Sequence, residues 1–318
     1  MNTTSPRYRL NPTSTQSETS ESWVVKMWRY LHWLSIDVAL GAGISAAWVN
    51  HTWGGDHSWW AILALSSGAL WVYSVDHWAD ALRAAQRPPE ILSPRRKFYV
   101  QSRGILFTLS VLSMLVGAWS AVHLPWSTLG FGAVFVLSCG AYLWITQKRQ
   151  DSHLPMRYPK EIIVTTLYTL ALTAWPLSQS FSAPDHFAPI KGLLTSFFIF
   201  SLAWANVCLI SVHERRADAA EETPSLALWL GEYTTRNVGR GVLKFGLIIW
   251  AIRTYLFFGW QEMGNMKALL DTTVAGAMLF TLWRLYQRPE WSAINSRYRR
   301  WADAVFLFPI WVLIEGIL

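Results

Sequence analysis

Two pairs of carboxylates stand at the ends of long apolar stretches of this chain. Asp76 and Asp80 close one stretch, and Glu214 and Asp218 close another. Residues four apart lie on one face of a helix, about a turn from each other, so each pair could share a cation. Carboxylate oxygens suit Mg²⁺, which usually takes further ligands from water and a substrate phosphate. The sequence therefore predicts that these four acids bind one or two Mg²⁺ ions and are catalytic.

Basic side chains follow the acids in the neighbouring loops. Guanidinium and ammonium groups bind diphosphates through charge-assisted hydrogen bonds, so acids, metal and cations together favour a diphosphate substrate. Alternatively, the acids are helix-end charges paired with nearby arginines, and Lys160 with Glu161 simply marks the membrane interface. The predicted diphosphate-binding residues are Arg83, Arg87, Arg95, Arg96, Lys97, Lys160 and Arg215.

Several aromatic residues fall near the level of the acids. Aromatic faces can shield a carbocation by cation–π attraction, although most aromatic residues of an apolar chain are core or interface residues. Three other charges inside apolar stretches, Asp37, Asp303 and Arg253, are expected to face the helix bundle and pair internally. The residues predicted to line a cavity and shield a cation are Tyr73, Trp71, Trp204 and Asn206.

The composition is that of a membrane protein with several spans. Of 318 residues, 52% are hydrophobic and only 15% are charged, and the mean hydropathy is +0.22, which is too apolar for an ordinary soluble domain. A net charge of +7 could suit nucleic acid. However, the Lys and Arg residues lie in alternate short loops, as in membrane proteins, so no nucleic-acid partner is expected.

The apolar stretches predict an all-α fold with about nine transmembrane helices. Residues 1–22 are polar and predict a disordered tail, and residues 23–318 form the single membrane domain. The stretch 105–147 has no Asp, Glu, Lys or Arg and is long enough for two spans, broken at 123–125. The predicted spans are therefore 31–49, 58–80, two within 105–147, 161–179, 192–212, 242–259, 268–286 and 301–318.

The basic loops predict the orientation of these spans. Placing the loops alternately on two sides gathers nearly all Lys and Arg with the N-terminal tail and both carboxylate pairs. By the positive-inside rule this side is cytoplasmic, and an odd number of spans leaves the C-terminus on the other side. We therefore expect an integral membrane protein in the lipid bilayer of a bacterial inner membrane.

The motifs around the acids resemble those of the UbiA superfamily of intramembrane prenyltransferases. The last two acids of the family's first motif, Asn-Asp-x-x-Asp-x-x-x-Asp, fall on Asp76 and Asp80. Val72 and Tyr73 occupy the places of its Asn and first Asp, so this chain is similar to a divergent member. The family's second motif is an Asp-x-x-x-Asp followed by a Thr-Leu-Ala…Leu-Gly segment, and it resembles Glu214, Asp218, Ser225, Leu226, Ala227, Leu230 and Gly231.

The resemblance implies Mg²⁺-dependent ionisation of a prenyl diphosphate. An acceptor of unknown identity would then capture the prenyl group, whereas capture by an internal double bond would give a cyclised terpene. Two other classes stay open. A transporter would use the acids to carry ions, and a non-catalytic membrane scaffold would keep the fold without metal-dependent binding.

Overall fold

The computed structural model describes residues 23–53, 58–151, 160–180, 188–220, 223–259 and 266–317. Every regular element within these ranges is helical, which confirms the predicted all-α class. The predicted disordered tail, residues 1–22, lies outside them. The helices are α1 (Trp23–Trp33), α2 (Ile36–Thr52), α3 (Trp59–Ala84), α4 (Pro94–Gln101), α5 (Arg103–Val122), α6 (Trp126–Asp151), α7 (Lys160–Ser180), α8 (Ala188–Ala220), α9 (Leu226–Leu230), α10 (Glu232–Gly259), α11 (Met266–Gln287), α12 (Pro289–Ala293), α13 (Arg297–Ala304) and α14 (Ile310–Ile317).

Four of these helices are long and apolar enough to cross a membrane, judged by length and composition. They contain the stretches Arg103–Val122, Thr128–Thr146, Pro189–Ala220 and Ala268–Gln287. The first two have only 22% and 11% of their residues buried inside the protein, and their apolar side chains are therefore left facing outwards. This is the pattern expected where lipid covers a helix.

The predicted first span, 31–49, is divided in the structure. The chain is already helical from Trp23, and α1 ends before Ser35, whose φ of 57° places it in the left-handed region. A residue in that conformation interrupts the right-handed helix. The Ser35 hydroxyl lies 2.9 Å from Nε2 of His77, so the break is tied to α3.

The predicted last span, 301–318, is also divided. Helix α13 begins earlier, at Arg297, and ends at Ala304, and α14 starts only at Ile310. Pro309 lies just before α14, and proline both lacks the backbone N–H of a continuing helix and clashes with the preceding turn. The predicted loop after residue 212 is shortened as well, because α8 continues to Ala220 and α10 begins at Glu232.

Helix α8 lies at the centre of the bundle. It packs along α7 and α10, while α3 packs along α2 and α5. The main core joins side chains from α2, α8, α10, α11 and α13, including fully buried Trp48, Phe198 and Met278. This arrangement fixes the ends of α3, α7 and α8, which carry most of the predicted site.

Gly239 gives a test of the packing between α10 and α11. A Cβ atom at Gly239 would lie 1.9 Å from the Tyr286 hydroxyl oxygen, and that buried hydroxyl donates a hydrogen bond of 2.7 Å to the Ala205 carbonyl. We expect Gly239→Ala to destabilise the protein by about 1–3 kcal/mol, because the tyrosine must move out of a packed position. Thermal unfolding in detergent would measure the change.

Gly241→Ala is the matched control for this prediction. It lies on the same helix, two residues further on, and a Cβ there meets no atom within 4 Å. Alanine is favoured over glycine in a helix by about 1 kcal/mol, so this variant should be no less stable than the wild type. Equal melting temperatures of the two variants would contradict the packing described here.

Candidate active site

The two carboxylate pairs lie on continuous helices. Asp76 and Asp80 are in the last turns of α3, and Glu214 and Asp218 are in the last turns of α8. The helical period places each pair on one face. These four residues are called the acidic cluster below.

Two cations connect the pairs. Arg95, on α4, interacts electrostatically with both Asp76 and Glu214. Lys160, the first residue of α7, interacts with both Asp76 and Asp218. Each cation thus lies near an acid from α3 and an acid from α8, although the two motifs are more than a hundred residues apart in the chain.

Two of the acids are already engaged by arginines. Nη2 of Arg83 donates to Oδ1 of Asp80 at 2.5 Å, and Nη1 of Arg299 donates to Oε1 of Glu214. Asp76 differs, because within the described part of the chain its carboxylate makes no hydrogen bond and no ion pair. This carboxylate is therefore available to a bound group.

The acidic cluster suits metal ions that share their coordination with a substrate. No three of its carboxylates, all of which the structure describes, bring their oxygens within 4.8 Å of one another, so they do not form a closed cage. Mg²⁺ is commonly held by one or two carboxylates and completes its shell with water and phosphate oxygens. The four carboxylates are oxygen donors of the type that Mg²⁺ takes, and each pair could supply one or two of its ligands.

A cavity of about 100 Å³ adjoins the acidic cluster. Tyr73 lines it one turn before Asp76 on α3, and Ile210 lines it one turn before Glu214 on α8. Its walls thus come from the same helix faces that carry the acids. The lining residues are His32, Ser35, Val38, Tyr73, Arg95, Val164, Thr165, Tyr168, Ala203, Asn206, Val207, Ile210, Arg299, Asp303 and Phe306.

The structure brings some predicted residues to this cavity and places others elsewhere. Tyr73, Asn206 and Arg95 line it. Trp204 is stacked on Phe200, with ring centroids 6.2 Å apart, in a separate cluster with Cys208 and Leu226. Trp71 is not among the lining residues.

The other predicted diphosphate-binding residues are not among those that line the cavity. Arg96 donates to the Thr223 hydroxyl at 2.7 Å, and Arg215 lies 3.9 Å from the Glu232 carboxylate. Lys97 is exposed, and Arg87 is half-buried. Of the seven, Arg95 is the one in the wall, Arg83 pairs with Asp80, and Lys160 interacts electrostatically with Asp76 and Asp218.

Glu161 has a structural contact. It is buried, and its Oε1 accepts the backbone N–H of Leu226 at 2.8 Å. This bond holds the start of α9 against α7. The carboxylate therefore serves the fold next to the acidic cluster.

Helix α13 supplies site residues that the sequence did not reveal. Arg299 pairs with Glu214, and the Tyr298 hydroxyl donates to the same Oε1 at 3.1 Å. Burial lowers the pKa of Arg299, but Glu214, Asp303 and the nearby tyrosines together outweigh it and the net shift is upward, so the guanidinium stays charged. The arginines around Tyr298 were the sequence feature that could have indicated this role, but their pattern is the same as that of the other basic loops.

Tyr99, on α4, positions Arg95. The Arg95 guanidinium lies over the Tyr99 ring, 5.2 Å from its centroid, and donates from Nε to the phenol oxygen. Burial raises the pKa of the Tyr99 phenol, and Arg95 opposes this rise. The ring also stacks on His77 with centroids 4.5 Å apart, which connects α4 to α3 beside the acids.

Comparison of the chain with protein-family models, curated proteins and solved structures finds no match. The function must therefore be argued from the site itself.

Proposed function

We propose that this chain is an intramembrane enzyme that uses Mg²⁺ to ionise a prenyl diphosphate and transfers the prenyl group to an acceptor. It would be a divergent member of the UbiA superfamily with nine spans, the cytoplasmic side being the one that carries the acidic cluster. The observation that carries the proposal is that Arg95 and Lys160 each interact electrostatically with acids of both motifs.

Each group at the site has its own role in the proposed reaction. Arg95 and Lys160 bind the diphosphate from two sides and compensate the charge that it gains as it departs. When bound by the acidic cluster, Mg²⁺ supplies further stabilisation of that charge. Tyr73 and Tyr168 form aromatic walls of the adjoining cavity, where they face the reacting end of the prenyl group and exclude water from it.

The acids at the helix ends support an enzyme over a transporter. An ion carrier needs its acids at a midplane site that can open to either side. Here the acids stand in the last turns of α3 and α8, next to the basic helix α4. A scaffold would not need a carboxylate such as Asp76 placed between cations and without a direct partner in the described part of the chain.

The first experiment measures pyrophosphate release by the purified protein from geranyl, farnesyl and geranylgeranyl diphosphate. We expect release with Mg²⁺, loss of release with EDTA, and recovery when Mg²⁺ is added back, because the acids alone repel the diphosphate. Product analysis without an acceptor would detect cyclised hydrocarbons and so distinguish a cyclase. If none of the three substrates releases pyrophosphate, the proposal that the chain is an enzyme is wrong.

A further inference from the structure

A histidine and an aspartate form a hydrogen-bonded pair at the wall of the cavity. Nδ1 of His32 lies 2.7 Å from Oδ2 of Asp37. An ionised carboxylate only accepts hydrogen bonds, so Nδ1 carries the proton and Nε2 is the basic nitrogen of the ring. His32 is at the end of α1 and Asp37 is in the first turn of α2, so the break at Ser35 is what allows the two side chains to meet.

A second carboxylate supports the same imidazole. Oδ2 of Asp303 lies 3.8 Å from Nδ1 of His32. Its other oxygen, Oδ1, accepts a hydrogen bond of 3.0 Å from the Asn206 amide. Asp37 and Asp303 together stabilise a positive charge on His32 whenever its ring gains a proton.

Two buried acceptors at the cavity have no partner among the described residues. They are Nε2 of His32 and Oδ1 of Asn206. His32 is 8% exposed and Asn206 is 7% exposed, and both line the cavity. A buried histidine of purely structural function normally satisfies both ring nitrogens, since leaving a buried polar atom unpaired destabilises the fold. These two atoms are therefore suited to a bound molecule that donates hydrogen bonds.

We infer that His32 and Asp37 form a general-base pair, and that Nε2 of His32 accepts the one hydrogen bond that the hydroxyl group of the prenyl acceptor can donate. This inference rests on the proposed function and extends it by naming the acceptor class, a molecule with a free O–H group. Asp37 is the positioning residue, because it fixes the tautomer and orientation of His32.

The reaction step balances without a further reagent. The bond between C1 of the prenyl group and the diphosphate oxygen breaks, and its electron pair leaves with pyrophosphate. A lone pair of the acceptor's hydroxyl oxygen forms the new bond to C1, and the hydroxyl proton passes to Nε2 of His32. The imidazolium beside Asp37 then returns that proton to water.

Other charged groups surround the pair and set the conditions under which the base works. Arg299 and Asp303 approach from α13, and Arg95 approaches from α4. His77, on α3, interacts electrostatically with His32. The titratable and charged groups around His32 are thus Asp37, Tyr73, His77, Arg95, Arg299 and Asp303.

The test measures prenyl transfer by the full-length protein to phenol, hydroquinone and octanol, with methoxybenzene as the probe that lacks an O–H group. We expect transfer to at least one of the three and none to methoxybenzene. His32→Gln should lower transfer by about 10²–10⁴-fold, the usual contribution of a general base. It should also flatten the pH profile of transfer and raise the ratio of prenyl alcohol to prenylated product. A merely structural role of His32 would not flatten that profile.

His123→Gln is the matched control, because the His123 ring stacks on Trp60 with centroids 4.1 Å apart, at the other end of α5 from α4. It should leave transfer and its pH profile unchanged. Asp37→Asn should lower transfer while the protein stays folded, as checked by gel filtration.

The outcomes separate this inference from the function on which it rests. Absence of pyrophosphate release from the wild type would overturn both. Release without transfer to any O–H probe, or a His32→Gln variant with the transfer and pH profile of the wild type, would overturn the inference alone. Bound zinc or manganese that is lost in His32→Gln would also overturn it, since Nδ1 would then bind a metal ion.

Discussion

Replacing Asp76 with asparagine is expected to lower Mg²⁺-dependent pyrophosphate release by about 10³-fold, the scale on which loss of one preorganised electrostatic group acts. Asparagine keeps the size of the side chain but removes its charge. Asp76 interacts with both Arg95 and Lys160 and makes no direct hydrogen bond or ion pair within the described part of the chain. Its negative charge is thus available to a bound cation, and the amide cannot replace it.

The control for this prediction is Glu232→Gln, which makes the same change of acid to amide outside the cluster. The Glu232 side chain is 49% exposed and pairs with Arg236 at 3.1 Å, so its charge is solvated and its loss should not alter release. Both variants would be assayed at saturating Mg²⁺ with farnesyl diphosphate, after a check of melting temperature. Release by Asp76→Asn within threefold of the wild type would show that this carboxylate does not act in ionisation.

The positions of the acids on helices could be predicted because the signal is local. A long apolar stretch fixes each helix, and the spacing of four residues fixes the shared face. For Glu214 and Asp218 the prediction also required α8 to continue past residue 212, and it does, to Ala220. The same local reasoning identified Tyr73, which lies one turn before Asp76 on the cavity wall.

The partners of the acids could not be predicted because they depend on tertiary contacts. Arg299 reaches Glu214 only because α13 starts at Arg297 and the chain bends before Pro309. His32 meets Asp37 only because Ser35 takes a left-handed conformation, which serine rarely adopts. A hydropathy pattern merges such pieces into one span, so it hides the bends that build the site.

Of the substitutions considered, Asp271→Ala is expected to lower the free energy of unfolding most, by about 3–5 kcal/mol. This is the loss expected when one partner of a buried ion pair is removed. Oδ2 of Asp271 lies 2.7 Å from Nη2 of Arg253, and Oδ1 accepts a hydrogen bond of 2.5 Å from Nε1 of Trp48. Arg253 and Asp271 are 1% and 5% exposed. As predicted, Arg253 pairs inside the bundle, and the variant would leave its buried charge without that carboxylate.

The free energy of unfolding, measured in mixed micelles, would test this prediction. The control is Glu290→Ala, which removes an exposed acid on α12. This control should change the free energy of unfolding by less than about 0.5 kcal/mol. The double variant Arg253→Met with Asp271→Leu removes both charges and should recover much of the loss, because apolar side chains of similar volume often replace a buried pair without cost. Recovery would show that the penalty comes from the uncompensated arginine rather than from lost packing around Trp48. If Asp271→Ala alone unfolds with a free energy within about 1 kcal/mol of the wild type, then water solvates Arg253 or another acid pairs with it. In that case the Arg253–Asp271 pair does not hold α10 to α11.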